Sequence, residues 1–182
     1  MGADAKDGGA VFWLCGLSGA GKSTIAEAAG ERLENAGFSV LNLDGDVIRE
    51  LLHTSLGFTR EDVLENNMGI ARLCDDQRSA YDVILVPVIS PLREGRERAR
   101  ALLGKHYNLV YCDAGIPTVR RRDVKGLYAR ADQGEITDMI GYSPDGLPFE
   151  PPEDAELVLH TDGEPLESCV DNLVAFVRSR ID

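Results

Sequence analysis

Several features that would indicate particular classes of protein are missing from this sequence of 182 residues. No run of apolar residues approaches the roughly 20 that a helix needs to cross a lipid bilayer. The cysteines are far apart and form no CxxC pair; they are Cys15, Cys74, Cys112 and Cys169. Because disulfide frameworks and zinc sites use regularly spaced or neighbouring cysteines, we interpret these residues as reduced structural thiols.

A basic surface is also missing, since 31 acidic residues outnumber 19 lysines and arginines and give a net charge of -12. Nucleic acids and anionic membranes attract proteins through a basic field, so we expect neither as a partner. The net charge does not exclude a small anionic substrate, because binding of such a substrate depends on the local charge of its pocket. We expect the first of two basic clusters to be a solvated helix face. The two clusters are Arg93, Arg96, Arg98 and Arg100, and then Arg120, Arg121, Arg122 and Lys125.

The first nine residues are mostly small and polar, and they lack the basic start and apolar stretch of a secretory signal. We interpret residues 1–9 as a flexible leader. We interpret residues 10–182 as a single domain, because this length suits one domain with a substantial core. The reduced cysteines and the missing signal together favour a cytoplasmic protein.

Short apolar runs alternate with segments of helical spacing along the rest of the chain. The apolar runs predict strands at 10–15, 39–43, 82–89, 108–112 and 157–160. Apolar spacing and capping residues predict helices at 23–35, 47–53, 59–80, 94–103, 117–123 and 165–181. This alternation is typical of an α/β fold with a central five-stranded, mainly parallel sheet and helices on both faces.

One long segment, about 124–152, shows no such pattern and contains the turn-rich stretch GYSPDGLPFEPPED. Irregular segments of this length are uncommon inside a compact domain and often serve as active-site lids. We therefore interpret it as a lid loop.

The segment GLSGAGKS, from Gly16 to Ser23, matches the phosphate-binding pattern GxxxxGK[ST] in full. In this pattern main-chain N–H groups surround phosphate oxygens, the lysine adds a positive charge, and the serine hydroxyl binds Mg²⁺. An apolar strand precedes the segment and an amphipathic helix follows it, which is the context that such a loop needs. The sequence therefore predicts a P-loop NTPase-like three-layer sandwich. Its ATP-Mg²⁺ site would be formed by Gly16, Ser18, Gly19, Ala20, Gly21, Lys22, Ser23 and Thr24.

Two aspartates, Asp44 and Asp46, follow the second predicted strand. The carboxyl ends of the strands form the edge at which α/β sheets place their sites. Phosphoryl transfer to a hydroxyl needs a group that orients the hydroxyl and takes its proton, and carboxylates that hold the metal. An Asp-Gly turn is the alternative interpretation, but opposite a P-loop we favour a catalytic pair.

Further along the chain, the motifs LDGD, LGFTREDVLEN, ISP and RDVKGLY follow GLSGAGKST in that order. Over about residues 11–173 this set resembles the adenylyl-sulfate (APS) kinase family. Many kinases share the P-loop, whereas the other motifs are much more specific. The resemblance implies an enzyme that uses ATP and Mg²⁺ to phosphorylate the 3′-hydroxyl of adenylyl sulfate, which gives PAPS. It also implies a homodimer.

The resemblance further implies roles for individual residues. Asp44 and Asp46 would act on the acceptor hydroxyl and the metal. Arg49 and Asn66 would hold the phosphosulfate and ribose region of the acceptor, because a guanidinium matches paired phosphate or sulfate oxygens. Phe58 would stack on its adenine, since an aromatic face is a platform for a base.

Other positions would complete the two substrate sites. Ile89 and Ser90 would line the acceptor site. The position of Ser90 has been described in the family as a phosphoserine intermediate, but direct in-line transfer needs none and is the route we expect. Arg122 would lie near the ATP base. The lid would begin at Lys125, Gly126 and Leu127.

The chain departs from the family pattern mainly in the acceptor half. Val47 and Val63 stand where the family usually has asparagine and arginine, and residues 67–69 lack the usual arginines. Met139 takes the place of a second aromatic wall, and the following loop, 142–149, is longer. Two alternatives therefore stay open. One is a related kinase acting on another nucleotide derivative, such as a cytidine diphosphate-linked anionic or amidate compound. The other is a non-catalytic nucleotide-binding regulator.

Overall fold

The computed structural model describes residues 8–45, 48 and 56–181. Its centre is a five-stranded sheet in which all neighbouring strands are parallel, in the order β2-β3-β1-β4-β5. The strands are β1 (Ala10–Cys15), β2 (Val40–Asn42), β3 (Val83–Pro87), β4 (Tyr107–Asp113) and β5 (Leu157–His160).

Helices cover both faces of this sheet. On one face, α1 packs with α6 over an apolar cluster; on the other face, α2 packs with α3 over a second cluster. The sheet and these two helical layers form the three-layer α/β sandwich that the sequence predicted. The α-helices that lie wholly within the described residues are, in chain order, α1 (Lys22–Asn35), α2 (Arg60–Gln77), α3 (Arg93–Leu103), α4 (Ile116–Arg122), α5 (Leu127–Asp132) and α6 (Leu166–Ile181).

The central strand β1 shows why its sequence is apolar throughout. Phe12 and Leu14 belong to the cluster under α1 and α6, whereas Val11, Trp13 and Cys15 belong to the cluster under α2 and α3. Successive residues of a strand point to opposite faces, and both faces here are covered by helices. An alternating polar pattern would therefore leave polar side chains in one of the two cores.

The predicted elements agree with the structure apart from a few residues at their ends. A capping box starts α2: the Thr59 side chain accepts from the Asp62 main chain, and the Asp62 side chain accepts from the Thr59 main chain. The predicted helix 47–53 lies outside the described residues, except for Ile48. Among the described residues, no helix is both long enough and apolar enough to span a bilayer.

Two expectations need correction. The segment 124–152 was expected to be irregular, but its first part forms the helix α5. Tyr128 in that helix is buried, and its packing explains why this part of the segment is helical. The last part of the expected leader is also packed, since Gly9 is buried and its N–H donates to the carbonyl of Arg78 at 2.6 Å. Residues 1–7 lie outside the described ranges.

Candidate active site

The predicted phosphate-binding loop lies between β1 and α1, as its sequence required. Gly19 and Gly21 have φ angles of 81° and 93°, in the left-handed region that favours glycine. The N–H of Ala20 donates to the carbonyl of Leu17 at 3.1 Å and closes the turn. Because α1 starts at Lys22, its positive N-terminal end is directed at the loop, which favours an anion there.

Lys22 lies inside the loop with only 8% of its surface exposed. Its Nζ donates to the carbonyls of Gly16 at 3.0 Å and Leu17 at 2.8 Å. Burial lowers the pKa of Lys22 to about 8, with a smaller lowering from Lys125, while nearby thiols oppose the shift. A buried ammonium that is charged at neutral pH is therefore held where phosphates would bind.

The hydroxyl-bearing residues after Lys22 are placed differently. Ser23 and Thr24 lie in the first turn of α1, and both are exposed. Their exposure leaves Ser23 accessible to a metal ion that accompanies bound phosphates.

The end of β3 lies directly beside this loop. The N–H of Gly16 donates to the carbonyl of Ile89 at 3.3 Å, and the N–H of Val88 donates to the carbonyl of Leu14 at 3.0 Å. These bonds place the Ile89–Ser90 turn against the start of the P-loop. The expected acceptor turn and the expected ATP site are therefore neighbours.

Asp44 follows β2, which pairs with β3 on the side away from β1. It is half-buried, and its main-chain carbonyl accepts from the N–H of Ile48 at 2.9 Å. Asp44 thus lies at the carboxyl edge of the sheet, with the end of β3 between it and the P-loop. Asp46 and Arg49, which the sequence predicted for the same site, lie outside the described residues.

Ser90 adopts a φ of 43°, which is unusual for a residue with a side chain. Only 2% of it is exposed. Its Oγ accepts a hydrogen bond from the Nδ2 of Asn67 at 3.0 Å, and its carbonyl accepts from the Nη1 of Arg96 at 2.7 Å. A buried and engaged hydroxyl favours a role in the shape of the turn over a phosphorylated intermediate.

The other residues expected at the acceptor site differ in exposure. Phe58 is 61% exposed just before α2, and Asn66 is half-buried within α2. Val63, at a usual arginine position, is buried with Leu64 and Leu92 in a small apolar cluster, against which Ile140 and Leu147 of the segment 124–152 also pack. The exposed ring of Phe58 is available to stack on a base, while Val63 contributes to packing.

Met139, predicted as the second wall for the base, is only 8% exposed and belongs to the apolar cluster under α1 and α6. Its side chain thus packs into the core and offers little surface to a ligand. A flexible thioether suits such a place, since methionine fills irregular gaps in a core.

The predicted start of the lid is attached to the P-loop. Lys125 is exposed, Gly126 has a φ of 66°, and Leu127 begins α5. The carboxylate of Asp123 accepts from two main-chain N–H groups in the first turn of α5, each at 3.0 Å. The Tyr128 hydroxyl then donates to the carbonyl of Ser18, inside the P-loop, at 2.7 Å.

Arg122, predicted near the ATP base, lies at the rim of the P-loop. Its guanidinium donates to the carbonyl of Gly19 at 3.4 Å and to the carbonyl of Thr161, just after β5. Arg122 therefore links the P-loop to the edge of the sheet on the side of β5.

Three residues at this site were missed by the sequence analysis: Tyr128, Asn67 and Arg96. Tyr128 was quoted as part of RDVKGLY without a role of its own. Arg96 belongs to the basic cluster that we expect to be solvated, but it lies four residues after Leu92 and three before Ala99, both buried. That spacing places it on the inner face of α3 and was the signal available.

The sequence relationships agree with this geometry. Residues 8–160 match the family model described as adenylylsulphate kinase. The chain belongs to this family. It is 44% identical over 167 residues to the adenylyl-sulfate kinase of Paraburkholderia xenovorans, covering 92% of each chain. It is 42% identical to that of Chloroflexus aurantiacus, covering 92% of this chain and 88% of the relative.

Solved structures of the adenylyl-sulfate kinase family show the same fold. The APS kinase of Mycobacterium tuberculosis, in complex with AMPPNP and APS, superposes with a TM-score of 0.85 at 32% identity, covering 94% of this chain and 98% of that one. A gluconokinase from Sinorhizobium meliloti superposes with a TM-score of 0.60 at 17% identity, covering 95% of this chain and 93% of that one, which shows a shared fold alone.

Proposed function

We propose that this chain transfers the γ-phosphoryl group of ATP to the 3′-hydroxyl of adenylyl sulfate and releases PAPS and ADP. The observation that carries the proposal is the hydrogen bond from the Gly16 N–H to the Ile89 carbonyl. This bond brings the acceptor turn of the family's ISP motif against the phosphate-binding loop. Family membership supports adenylyl sulfate as the acceptor, and this contact supports an acceptor site close to the triphosphate, as phosphoryl transfer requires.

The P-loop residues Gly16, Ser18, Gly19, Ala20, Gly21, Lys22, Ser23 and Thr24 bind the triphosphate in this proposal. The left-handed glycines let main-chain N–H groups face the phosphates, and the protonated Lys22 stabilises the charge that develops during transfer. Arg122, at the rim of the loop, lies beside the ATP base.

Mg²⁺ fits the residues at hand. The Ser23 hydroxyl is exposed at the start of α1, and the half-buried Asp44 lies at the carboxyl edge of the sheet. In kinase sites Mg²⁺ is held mostly by phosphates and water with one or two protein oxygens, and it neutralises phosphate charge. Ser23 and Asp44 would supply those oxygens.

The acceptor is positioned from the other side. Asp44 and Asp46 orient the 3′-hydroxyl and take its proton, Arg49 and Asn66 bind the phosphosulfate and ribose region, and Phe58 stacks on the adenine. Ile89 and Ser90 line the site through the turn that they form. Because Met139 is buried, we assign stacking on the base to Phe58 alone among the described residues.

Residues 124–152 act as a lid that begins at Lys125, Gly126 and Leu127. Closure over both substrates excludes water, which would otherwise hydrolyse ATP.

We further propose that residues 10–182 form one domain, that the protein is a cytoplasmic homodimer, and that it serves sulfate assimilation. Light scattering at micromolar concentration tests the oligomeric state.

The decisive experiment measures ADP release by the purified protein with ATP, Mg²⁺ and adenylyl sulfate, and locates the new phosphate by ³¹P NMR. We expect a 3′-phosphorylated product, and we expect Lys22→Met and Asp44→Asn to abolish turnover. Asp76→Asn is a matched control, because Asp76 is exposed on α2 and its loss changes the net charge equally.

Other outcomes point to other functions. Much faster turnover of a cytidine diphosphate derivative would replace adenylyl sulfate as the acceptor and leave the kinase activity standing. Tight ATP binding without turnover of any acceptor would indicate a nucleotide-binding regulator instead. Near-normal turnover by Asp44→Asn would remove the role assigned to that carboxylate.

A further inference from the structure

Arg96 is the arginine of helix α3 that does not face solvent, with 3% of its surface exposed. Its helical neighbours Arg93 and Arg98 are exposed and form ion pairs with Glu153 and Glu94. No carboxylate of the described residues pairs with Arg96. Burying a guanidinium is unfavourable unless its donors are satisfied, so its partners indicate what it is for.

Those partners are two main-chain carbonyls from different segments. Nη1 donates to the carbonyl of Ser90 at 2.7 Å, and Nη2 donates to the carbonyl of Glu150 at 2.7 Å. Ser90 belongs to the acceptor turn, and Glu150 lies near the end of the lid segment, 124–152. One planar guanidinium therefore joins the acceptor turn to the end of the lid.

Glu150 makes two further bonds to the chain that follows the acceptor turn. The N–H of Glu150 donates to the carbonyl of Pro91 at 2.8 Å, and the carboxylate of Glu150 accepts from the N–H of Arg93 at 2.6 Å. The end of the lid segment is thus bonded to Pro91 and to the start of α3, in addition to its bond with Arg96.

The turn needs this support, because Ser90 has a positive φ that residues with a side chain rarely adopt. Such a conformation persists only where its surroundings hold it. Asn67 holds the Ser90 hydroxyl, and Arg96 holds its carbonyl. Since the neighbouring Ile89 carbonyl is bonded to the N–H of Gly16, a shift of this turn would also move it relative to the P-loop.

The positive charge of Arg96 also affects groups to which it is not hydrogen-bonded. Burial raises the pKa of the Cys15 thiol, at the end of β1, to about 12, and the positive charge of Arg96 opposes that rise. The same charge opposes the raised pKa of Tyr111. A buried positive charge that reaches the carboxyl edge of the sheet also favours an anionic acceptor there.

We propose that Arg96 is a positioning residue that fixes the acceptor turn and couples it to the lid. The inference rests on the proposed function. Arg96 does not touch the reacting groups; it acts through the carbonyls of Ser90 and Glu150. Its removal therefore disturbs acceptor binding much more than ATP binding.

The test compares Arg96→Met, Arg96→Lys and the control Arg98→Met. We expect Arg96→Met to raise the KM for adenylyl sulfate about tenfold or more, since charged hydrogen bonds are lost, while the Kd for AMPPNP changes by less than about twofold. Arg96→Lys restores part of the loss, because an ammonium keeps the charge but not the fork. Arg98→Met leaves both constants unchanged.

The outcomes separate this inference from the proposed function. A wild-type protein without turnover of adenylyl sulfate rejects the function; the inference is then judged by a crystal structure of Arg96→Met. A Ser90 turn that keeps its φ and its place in that structure overturns the inference, as does equal loss of acceptor and ATP affinity. Failure of both Arg96 variants to fold assigns the residue to the stability of the domain and also overturns it.

Discussion

The hydroxyl of Tyr128 donates a hydrogen bond of 2.7 Å to the carbonyl of Ser18, and this bond joins the segment proposed as a lid to the P-loop. Tyr128 lies in the helix α5, within the proposed lid segment, and it is buried. Burial, together with the charge of Asp123, raises the pKa of Tyr128 to about 12. The hydroxyl therefore stays protonated and remains a donor at neutral pH.

We expect Tyr128→Phe to weaken ATP binding and to lower stability. The ring and its edge-to-face contact with Tyr142 stay, but the Ser18 carbonyl loses its donor. One such bond contributes about 1 kcal/mol, so the Tm falls by about 2–4 °C and the KM for ATP rises a few-fold. Tyr142→Phe is the matched control, since that hydroxyl donates to Asp132 and not to the P-loop. Equal changes in ATP KM for both variants would contradict the assignment.

Gly95→Ala tests whether Asn67 must reach Ser90. A Cβ at Gly95 would lie 2.6 Å from the Nδ2 of Asn67, so the amide must move and its bond to Ser90 breaks. We expect the KM for adenylyl sulfate to rise about tenfold, although alanine favours a helix by about 1 kcal/mol over glycine.

The control for that change is Gly30→Ala in α1. A Cβ there meets only Leu85 and Val40, at 3.6 and 3.7 Å, which is ordinary contact. We expect Gly30→Ala to keep the acceptor KM and to raise the Tm slightly. If Gly95→Ala behaved in the same way, the close approach of α3 to Asn67 would have no role in acceptor binding. Both constants come from steady-state assays, and far-UV circular dichroism confirms the helices.

ATP affinity is expected to depend on pH through Lys22. Its pKa is lowered to about 8 in the folded protein, so the ammonium is charged below that value and loses its proton above it. Bound phosphates favour the charged form. Affinity is therefore constant below about pH 8 and falls by up to about tenfold per pH unit above it. Titration calorimetry with AMPPNP measures this, and ATP affinity that stays constant up to pH 10 would contradict it.

Lys22→Arg is the control for the pH dependence. A guanidinium stays charged throughout this range, so any affinity that the variant keeps should not change between pH 7 and 10. A fall with pH equal to that of the wild type would trace the effect to another group.

The four cysteines are expected to be unreactive in the folded protein. All are buried, and burial raises the pKa of Cys15, Cys74 and Cys112 to about 12 and also raises that of Cys169. Because the thiolate is the reactive form, iodoacetamide at pH 8 should label them only on unfolding. Mass spectrometry with and without guanidinium shows this. Rapid labelling of any one thiol in the native protein would show that its surroundings open.

The local pattern of the chain was sufficient for the architecture. Continuous apolar runs such as Ala10–Cys15 require burial on both faces of the strand, and this requirement predicts a parallel sheet between two helical layers. The P-loop was equally readable, because glycines with left-handed φ and a lysine at fixed spacing are a local requirement of the turn. The helix α5 was missed because its short sequence lies among turn residues, and its order comes from the burial of Tyr128.

The acceptor side needed the tertiary structure. Sequence analysis predicted Met139 as a wall of the base site, but the structure packs it into the core. No sequence spacing links Asn67, Arg96 and Glu150. They meet only because α2, α3 and the end of the segment 124–152 converge on the Ser90 turn.

The amino-acid sequence by itself determined the α/β fold, the nucleotide loop and the family, because each depends on short-range periodicity or on a contiguous motif. The tertiary structure decided which arginine is buried, how the Ser90 turn is held and how Tyr128 ties the lid to the P-loop. Those features depend on contacts between segments that are far apart in the chain, where a single hydrogen-bond distance depends on the packing of several elements at once.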